Sequence, residues 1–422
     1  MGNFMLPMLE GAAATVSLLL MGIFGVRLLM RLTRVLRGQE AADGLENQMT
    51  YAPAGELAAA AAAALLSRLL VYLLAYLMYR LIGGTDGPLA SLESLWAHWD
   101  TRHYIGIAQD GYTAIGDERL RLVFFPLYPW LMRALSIFTG GNLFIAGVLA
   151  SLACSAASSA LLYDLCYMHG GEKTARLGLM YFLLSPLSVF LGCAYTEALF
   201  ICLTLAAVCL LRRNHPWLAA LCGAGSALTR MPGVIVAGLM IIALIGRIGK
   251  RTVRMADVLA CAGQVLIVFS GLFIYWGINW AVTGDPFTYM VYQKENWFQE
   301  PGSFWGSTAN TMHYFLTSFG DGDWLYTWGF QLFAMLLVYA LAARYEHLLP
   351  FDLAAYSFVY IAVVLSPTWL LSAPRYLYAL CALPLLMGRL PLSRRGHGAA
   401  LGVSSLLLVI WTYGYTIAVE VL

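Results

Sequence analysis

The densest cluster of polar and aromatic residues in the chain reads WAHWDTRHYIGIAQDGY. Within it Asp100 follows Trp99 and is followed in turn by Arg102, His103 and Tyr104. A carboxylate held among aromatic side chains can act as a general base, and the flanking aromatic and basic groups can bind a substrate. A solvated loop acid paired with Arg102 would give the same pattern, so these residues alone leave both interpretations open.

Two further positions near this cluster could contact a substrate. Asp110 reads on its own as a turn or helix-cap residue, but a second acid close to Asp100 could help to hold an acceptor. Tyr128 lies in FFPLYP, whose prolines interrupt a helix and whose aromatic rings favour a membrane interface. We predict substrate contacts for both residues, with a turn and a kinked interfacial helix as the alternatives.

Three charged residues interrupt or begin apolar segments. Glu197 lies in SPLSVFLGCAYTEALF, and an acid this close to hydrocarbon is costly without a partner. The alternative for Glu197 is a helix N-terminus, where the helix dipole favours an acid. Arg230 in LTRMPG and Arg375 in SAPRY can hold a phosphate through the planar guanidinium, with snorkelling or pairing to an internal acid as the alternatives.

Two other features predict packing rather than chemistry. The eight cysteines lie in apolar runs without a CxxC pair, so we expect buried thiols and neither a metal site nor a disulfide framework. Arg68 lies in the middle of an apolar run, and Asp164 is a candidate partner for it.

The amino-acid composition indicates whether these residues belong to a soluble protein or to a membrane protein. Of the 422 residues 60% are hydrophobic and only 11% are charged, with a mean hydropathy of +0.72. Soluble domains carry roughly 25% charged residues, so a soluble enzyme, a disordered chain and a nucleic-acid-binding protein are excluded. The sequence predicts an all-α polytopic membrane protein.

About twelve apolar runs could cross the membrane, some of them short enough to be broken or tilted. They lie at 11–32, 55–82, 144–167, 174–191, 194–211, 217–229, 233–246, 257–282, 326–343, 351–369, 374–388 and 398–419. The segment 123–140 contains two prolines and Arg133, and we predict an interfacial or re-entrant helix there.

Basic residues predict the orientation. Sixteen of the 25 lysines and arginines fall in six short clusters, which the positive-inside rule assigns to the cytoplasm. The clusters are 27–37, 173–176, 212–213, 247–254, 344 and 389–395. Residues 83–122 and 283–325 then form two large, acidic and aromatic-rich external loops.

Taken in order, WDTRHYIGIAQDGY, FFPLYP, SPLSVFLGCAYTEALF, ALTRMPG and SAPRY resemble the second GPI mannosyltransferase family, PIG-V, of the membrane-embedded GT-C superfamily. The resemblance covers roughly residues 55–390. It implies a GT-C-like domain over 51–422, preceded at 1–50 by an extra N-terminal transmembrane helix and a cytoplasmic loop.

The resemblance also implies a reaction. A polyprenyl-phosphate-linked mannose would be the donor and a hydroxyl of a lipid or lipid-linked glycan the acceptor, with Asp100 as base and an α-mannoside as product. Arg375 would be the principal ligand of the donor phosphate with Tyr376 beside it, Arg230 the second ligand, and Arg102 or His103 would lie closer to the sugar. Because protein cations can stabilise the leaving phosphate, no metal or other cofactor is expected.

Short loops and the lack of an N-x-S/T sequon point to a bacterial homologue, and hence to a bacterial plasma membrane with the active site on the external face. Bacteria generally lack GPI, so the identity of the acceptor does not carry over. A transporter or flippase of lipid-linked sugars is the alternative, because it too would combine many helices with intramembrane charges.

Overall fold

The computed structural model describes residues 2–44, 50–322 and 324–418 of the chain. Within these ranges there are helices and no strands, so the prediction of an all-α protein is confirmed. Parts of three predicted features lie outside the described residues: 45–49 of the N-terminal loop, 323 of the second external loop, and 419 of the last crossing.

Seventeen α-helices are present among the described residues. In chain order they are α1 Gly2–Leu36, α2 Ala54–Leu81, α3 Leu92–Trp96, α4 Asp100–Asp110, α5 Leu127–Ser136, α6 Leu143–Leu183, α7 Glu197–Arg212, α8 Pro216–Thr229, α9 Val236–Gly249, α10 Met255–Thr283, α11 Thr288–Trp297, α12 Phe304–Thr317, α13 Phe330–Tyr345, α14 Phe351–Val364, α15 Ala373–Tyr378, α16 Leu383–Gly388 and α17 Arg394–Thr416.

Long apolar helices confirm a polytopic membrane protein. Among the described residues seven helical segments are long and apolar enough to span a bilayer, or eight if one bent pair is counted as a span. Several of the other predicted crossings coincide with shorter helices, such as α7 with 16 residues and α14 with 14. The number of twelve therefore stays a prediction.

The segment labelled α6 consists of two helical pieces that meet at a kink. Gly171 interrupts it with φ 70° and ψ −171°, a backbone conformation that glycine adopts readily because it has no Cβ. This break falls between the predicted crossings 144–167 and 174–191, so the chain changes direction where the sequence places a loop.

The segment with the two prolines is bent sharply. The helical pieces Asp117–Val123 and Leu127–Thr139 meet at 108°, which is the shape of a broken span or a re-entrant loop. Pro126 begins the second piece, where a missing backbone N–H costs nothing.

The predicted cytoplasmic clusters meet at one end of the helical bundle. Arg31 donates to the carbonyls of Glu346 and Leu349, each at 3.0 Å. Gly249 lies so close to the Val35 carbonyl that a Cβ could not be accommodated, which brings the ends of α1 and α9 together. The same end contains the buried, bidentate ion pair of Arg212 with Asp352, at 2.6 and 2.9 Å.

One expected pairing is wrong. Arg68 donates to the backbone carbonyls of Leu183 and Ser188, whereas Asp164 pairs with Arg213. Arg68 lies in the middle of α2 beside the turn that follows α6, so the free carbonyls at that turn accept its hydrogen bonds without a carboxylate.

Helix α1 is integrated into the bundle. It packs along α12, α13 and α14, with Phe24 edge-on to Phe358 of α14 and Glu10 bound to His313 of α12 at 2.9 Å. The proposed division of the chain at residue 50 stays a prediction.

Candidate active site

Four charged side chains from distant parts of the chain form one ion-pair network. Arg375 donates from Nη2 to Oδ2 of Asp100 at 2.8 Å. Its Nε lies 2.7 Å from Oε1 of Glu197, although the angle is not that of a hydrogen bond. Arg230 donates from Nη1 to the same Glu197 oxygen at 2.6 Å. Two acids and two bases are thus joined in the order Asp100, Arg375, Glu197, Arg230.

Burial differs sharply along this network. The side chain of Glu197 is 0% exposed, that of Arg375 5% and that of Arg230 12%, whereas that of Asp100 is 22% exposed. Buried charges require partners with good geometry, which explains the pairing of the inner three. Asp100 is the acid that an incoming molecule can reach.

A strained turn sets the position of Asp100. Trp99 has φ 43° and ψ −112°, and the backbone N–H of Thr101 donates to the carbonyl of His98 at 3.1 Å. This is the geometry of a type II′ turn, whose second position normally holds glycine. A bulky residue held there is strained, and such strain persists only when surrounding contacts enforce it.

Contacts from the segment before α7 enforce that turn. Tyr195 donates its hydroxyl to the His98 carbonyl at 3.1 Å, and Thr101 donates to the Ala194 carbonyl at 3.4 Å. The next residues start α7, so the first turn of that helix presents Glu197 to the network. The helix dipole favours an acid at this place, and the two arginines add to that effect.

Arg375 and Arg230 are held by aromatic rings as well as by acids. The guanidinium of Arg375 lies 5.2 Å from the ring centre of Phe190 and 5.1 Å from that of Tyr195. Arg230 lies 4.7 Å from the ring centre of Tyr376. Such contacts orient guanidinium groups and replace part of their lost hydration. The predicted partner Tyr376 therefore reaches the network through its ring.

Comparison of the sequence with known proteins finds a related family. Residues 62–268 match the family model described as mannosyltransferase (PIG-V). Over this range, just under half of its length, the chain is similar to the PIG-V mannosyltransferase family. The matched range includes Asp100, Glu197 and Arg230, while Arg375 lies beyond it.

Curated relatives match a shorter part of this chain. GPI alpha-1,6-mannosyltransferase 2 of Cricetulus griseus is 32% identical over 160 residues, which are 34% of this chain and 31% of the hamster protein. The human protein of the same name is 30% identical over 159 residues, or 34% of this chain and 30% of its own. The match thus spans about a third of the relatives' length. No solved structure matches the chain.

Three other predicted site residues lie close to Asp100 along α4. Arg102 is exposed and forms no hydrogen bond or ion pair with the described residues. His103 stacks on Phe124 with 4.7 Å between ring centres. Tyr104 is buried, with its hydroxyl 3.4 Å from that of Thr196.

Two predicted residues are engaged elsewhere. Asp110 ends α4, about 15 Å along the helix axis from Asp100, and pairs with Arg121 at 3.3 Å. Tyr128 is completely buried, and its hydroxyl lies 2.9 Å from the Gly147 carbonyl and 2.8 Å from the Ser151 hydroxyl. The structure does not bring these two side chains to the network, and their contact with a substrate stays a prediction.

Sequence reasoning missed residues that complete the site. Phe190 and Tyr195 lie within SPLSVFLGCAYTEALF, but nothing in the letters indicates that their rings bracket the distant Arg375. Trp297 of the second predicted loop packs against His103 and Phe124.

Among the described residues no group of three or more His, Cys, Asp or Glu side chains could hold a metal ion. Whether the reaction needs a metal stays a question for measurement.

Proposed function

We propose that this protein transfers mannose from a polyprenyl-phosphate-mannose donor to a hydroxyl of a lipid or lipid-linked glycan. The match to the mannosyltransferase (PIG-V) family model supports the class of reaction, and so do the curated relatives, which are named as mannosyltransferases. The single observation that carries the proposal is the pair of Asp100 with Arg375. It joins an accessible carboxylate to a buried cation at one end of a membrane-type helical bundle.

In the proposed reaction Asp100 is the general base. The acceptor oxygen attacks the anomeric carbon of the mannose while the bond from that carbon to the phosphate oxygen breaks. The acceptor proton passes to Asp100, and the bonding electrons leave with the lipid monophosphate. Attack from the face opposite the leaving group inverts the anomeric carbon, so a β-linked donor gives an α-mannoside.

Arginine side chains near Asp100 stabilise the negative charge that develops on the phosphate. Arg375 uses Nη2 and Nε for its two acids, and its Nη1 has no hydrogen bond or ion pair with the described residues. Arg102 lies two residues after Asp100. It is exposed, and it forms no hydrogen bond or ion pair with the residues that the structure describes. We assign the phosphate to these two side chains. The paired Arg230 supports the network through Glu197.

The proposed location is the external face of a bacterial plasma membrane. The basic clusters gather at the end of the bundle that contains Arg31 and Arg212, and Asp100 belongs to the opposite end, which the positive-inside rule makes external. A polyprenyl donor and a lipid acceptor would both approach from the adjacent leaflet.

The test uses purified protein in detergent, radiolabelled polyprenyl-phosphate-mannose and a membrane lipid extract. We expect label to move into a new lipid-extractable product that an α-mannosidase can release. The Asp100→Asn variant serves as the control for contaminating activities. Reconstituted protein that moves the donor across a vesicle membrane without forming product would instead identify a flippase and overturn the proposal.

A further inference from the structure

Three aromatic rings form a corner next to Asp100. His103 follows Asp100 by one helical turn on α4, so the two side chains lie on the same helix face. Its ring stacks on Phe124 with an interplanar angle of 17°. Trp297 stands edge-on to both, with ring centres 6.3 Å from His103 and 5.8 Å from Phe124. We name His103, Phe124 and Trp297 the aromatic corner.

Contacts between the two predicted external loops hold the corner in place. Tyr289 on α11 is buried against Tyr275, whose hydroxyl donates to the carbonyl of Leu122 at 2.7 Å. Glu295 accepts from Arg119 at 2.5 Å. Helix α11 is therefore docked on the first loop, and this docking brings its last residue, Trp297, to the side of His103.

The three rings of the aromatic corner are neither fully buried nor fully exposed to solvent. All three rings are partly exposed. Burial lowers the pKa of His103 and outweighs the nearby Asp100 carboxylate, which raises it, while Arg121 lowers it further. The imidazole is thus neutral at pH 7, and the corner is an uncharged aromatic surface within one helical turn of the proposed base.

Such a surface suits one kind of ligand. A pyranose ring has an apolar face of C–H groups and a rim of hydroxyls, and aromatic rings beside a few polar groups are the usual lining of a small-molecule site. We propose that the aromatic corner binds a sugar ring of the substrate, with Trp297 as its principal contact. This inference rests on the proposed function and deepens it, because it assigns a specificity role to the second external loop.

The sugar could belong to the donor or to the acceptor, and two measurements distinguish these sources. The first is the equilibrium binding of radiolabelled polyprenyl-phosphate-mannose, with competition by sugar-free polyprenyl phosphate. The second is the apparent KM for the membrane lipid extract at saturating donor. Each is made for Trp297→Ala, for Trp297→Phe and for Phe298→Ala, a matched control that removes the adjacent exposed ring, which packs on Trp369.

If the corner binds the donor sugar, Trp297→Ala weakens binding of the mannosylated lipid about tenfold and leaves the sugar-free lipid unchanged. If it binds the acceptor sugar, the KM for the extract rises by a similar factor and donor binding is unchanged. Trp297→Phe should keep most of the effect, and Phe298→Ala should match wild type.

The inference is overturned if Trp297→Ala changes neither quantity, or changes both lipids' binding equally. The binding arm does not depend on transfer. A wild-type protein that discriminates the mannosylated from the sugar-free lipid through Trp297 but forms no product would contradict the proposed function and leave the sugar site intact.

Discussion

Arg375 Nη2 lies 2.8 Å from Asp100 Oδ2, and this contact joins residues 275 positions apart in the chain. The second contact of Arg375, with Glu197, ties the same guanidinium to the start of α7. One side chain therefore fixes the proposed base relative to the buried part of the site.

The Arg375→Lys variant tests this role. A single ammonium group cannot reach two acids through separate nitrogens as the planar guanidinium does, so one acid loses its partner. We expect kcat to fall by about 10- to 100-fold, which is the usual cost of a hydrogen bond to a charged group. Steady-state kinetics in donor concentration give kcat and KM. Arg133→Lys, at an exposed position in α5, is the control and should match wild type.

Glu197 is predicted to matter for stability as well as for activity. Glu197→Gln leaves Arg230 and Arg375 buried without their shared counter-charge, and breaking a buried ion pair costs about 3–5 kcal/mol. Glu295→Gln removes an exposed pair and should cost about 1 kcal/mol or less. Unfolding by detergent titration compares the two variants, and equal losses would show that the Glu197 network adds no stability.

The strained turn at Trp99 predicts that a glycine variant is more stable than an alanine variant at this position, the reverse of the order inside a helix. Trp99→Gly and Trp99→Ala lose the same ring contacts with His98 and Tyr415, but glycine adopts φ 43° without a Cβ clash. We expect the glycine variant to be the more stable of the two by about 1 kcal/mol. At Trp130, inside the helix α5, the same pair of substitutions should favour alanine by about 1 kcal/mol. The same order at both positions would mean that the turn is not strained.

The sequence analysis identified the residues of the site more completely than the contacts between them. Glu197, Arg230 and Arg375 were each noticed because a charge at an apolar boundary needs an explanation, and Asp100 because it lies in the densest polar and aromatic cluster. Their pairing could not be read from the letters, since the only partner that the sequence suggested for Asp100 was its neighbour Arg102, and Asp100 pairs instead with Arg375. Local spacing reports only contacts along one helix.

The helix pattern shows the same limit. Apolar runs indicated where helices lie, but the direction of the kink between 144–167 and 174–191 depends on the backbone angles at Gly171, and the 108° bend near Pro126 depends on packing. The hydrophobicity of a run does not report such angles. The aromatic corner likewise requires α11 to dock on the first loop, which no local pattern encodes.

The topology predicts which positions a membrane-impermeant thiol reagent can reach. Ile115 and Phe319 are exposed in the two predicted external loops, and Met255 is exposed directly after the basic cluster 247–254. In intact cells, cysteines introduced at the first two positions should be labelled, whereas a cysteine at Met255 should react only after the membrane is opened. Labelling of Met255→Cys together with Ile115→Cys from outside would contradict the orientation.

The account depends most directly on Asp100, and its central measurement is the turnover of the Asp100→Asn variant in the mannose-transfer assay. The amide keeps the shape of the side chain but cannot accept the proton of the acceptor hydroxyl. We predict that kcat falls by about two to four orders of magnitude, the usual contribution of a positioned base, while the donor still binds. Asp110→Asn, which alters the acid paired with Arg121 at the far end of α4, should lower turnover much less. Near-normal turnover of Asp100→Asn, or a larger loss for Asp110→Asn, would contradict the assignment of Asp100 as the base.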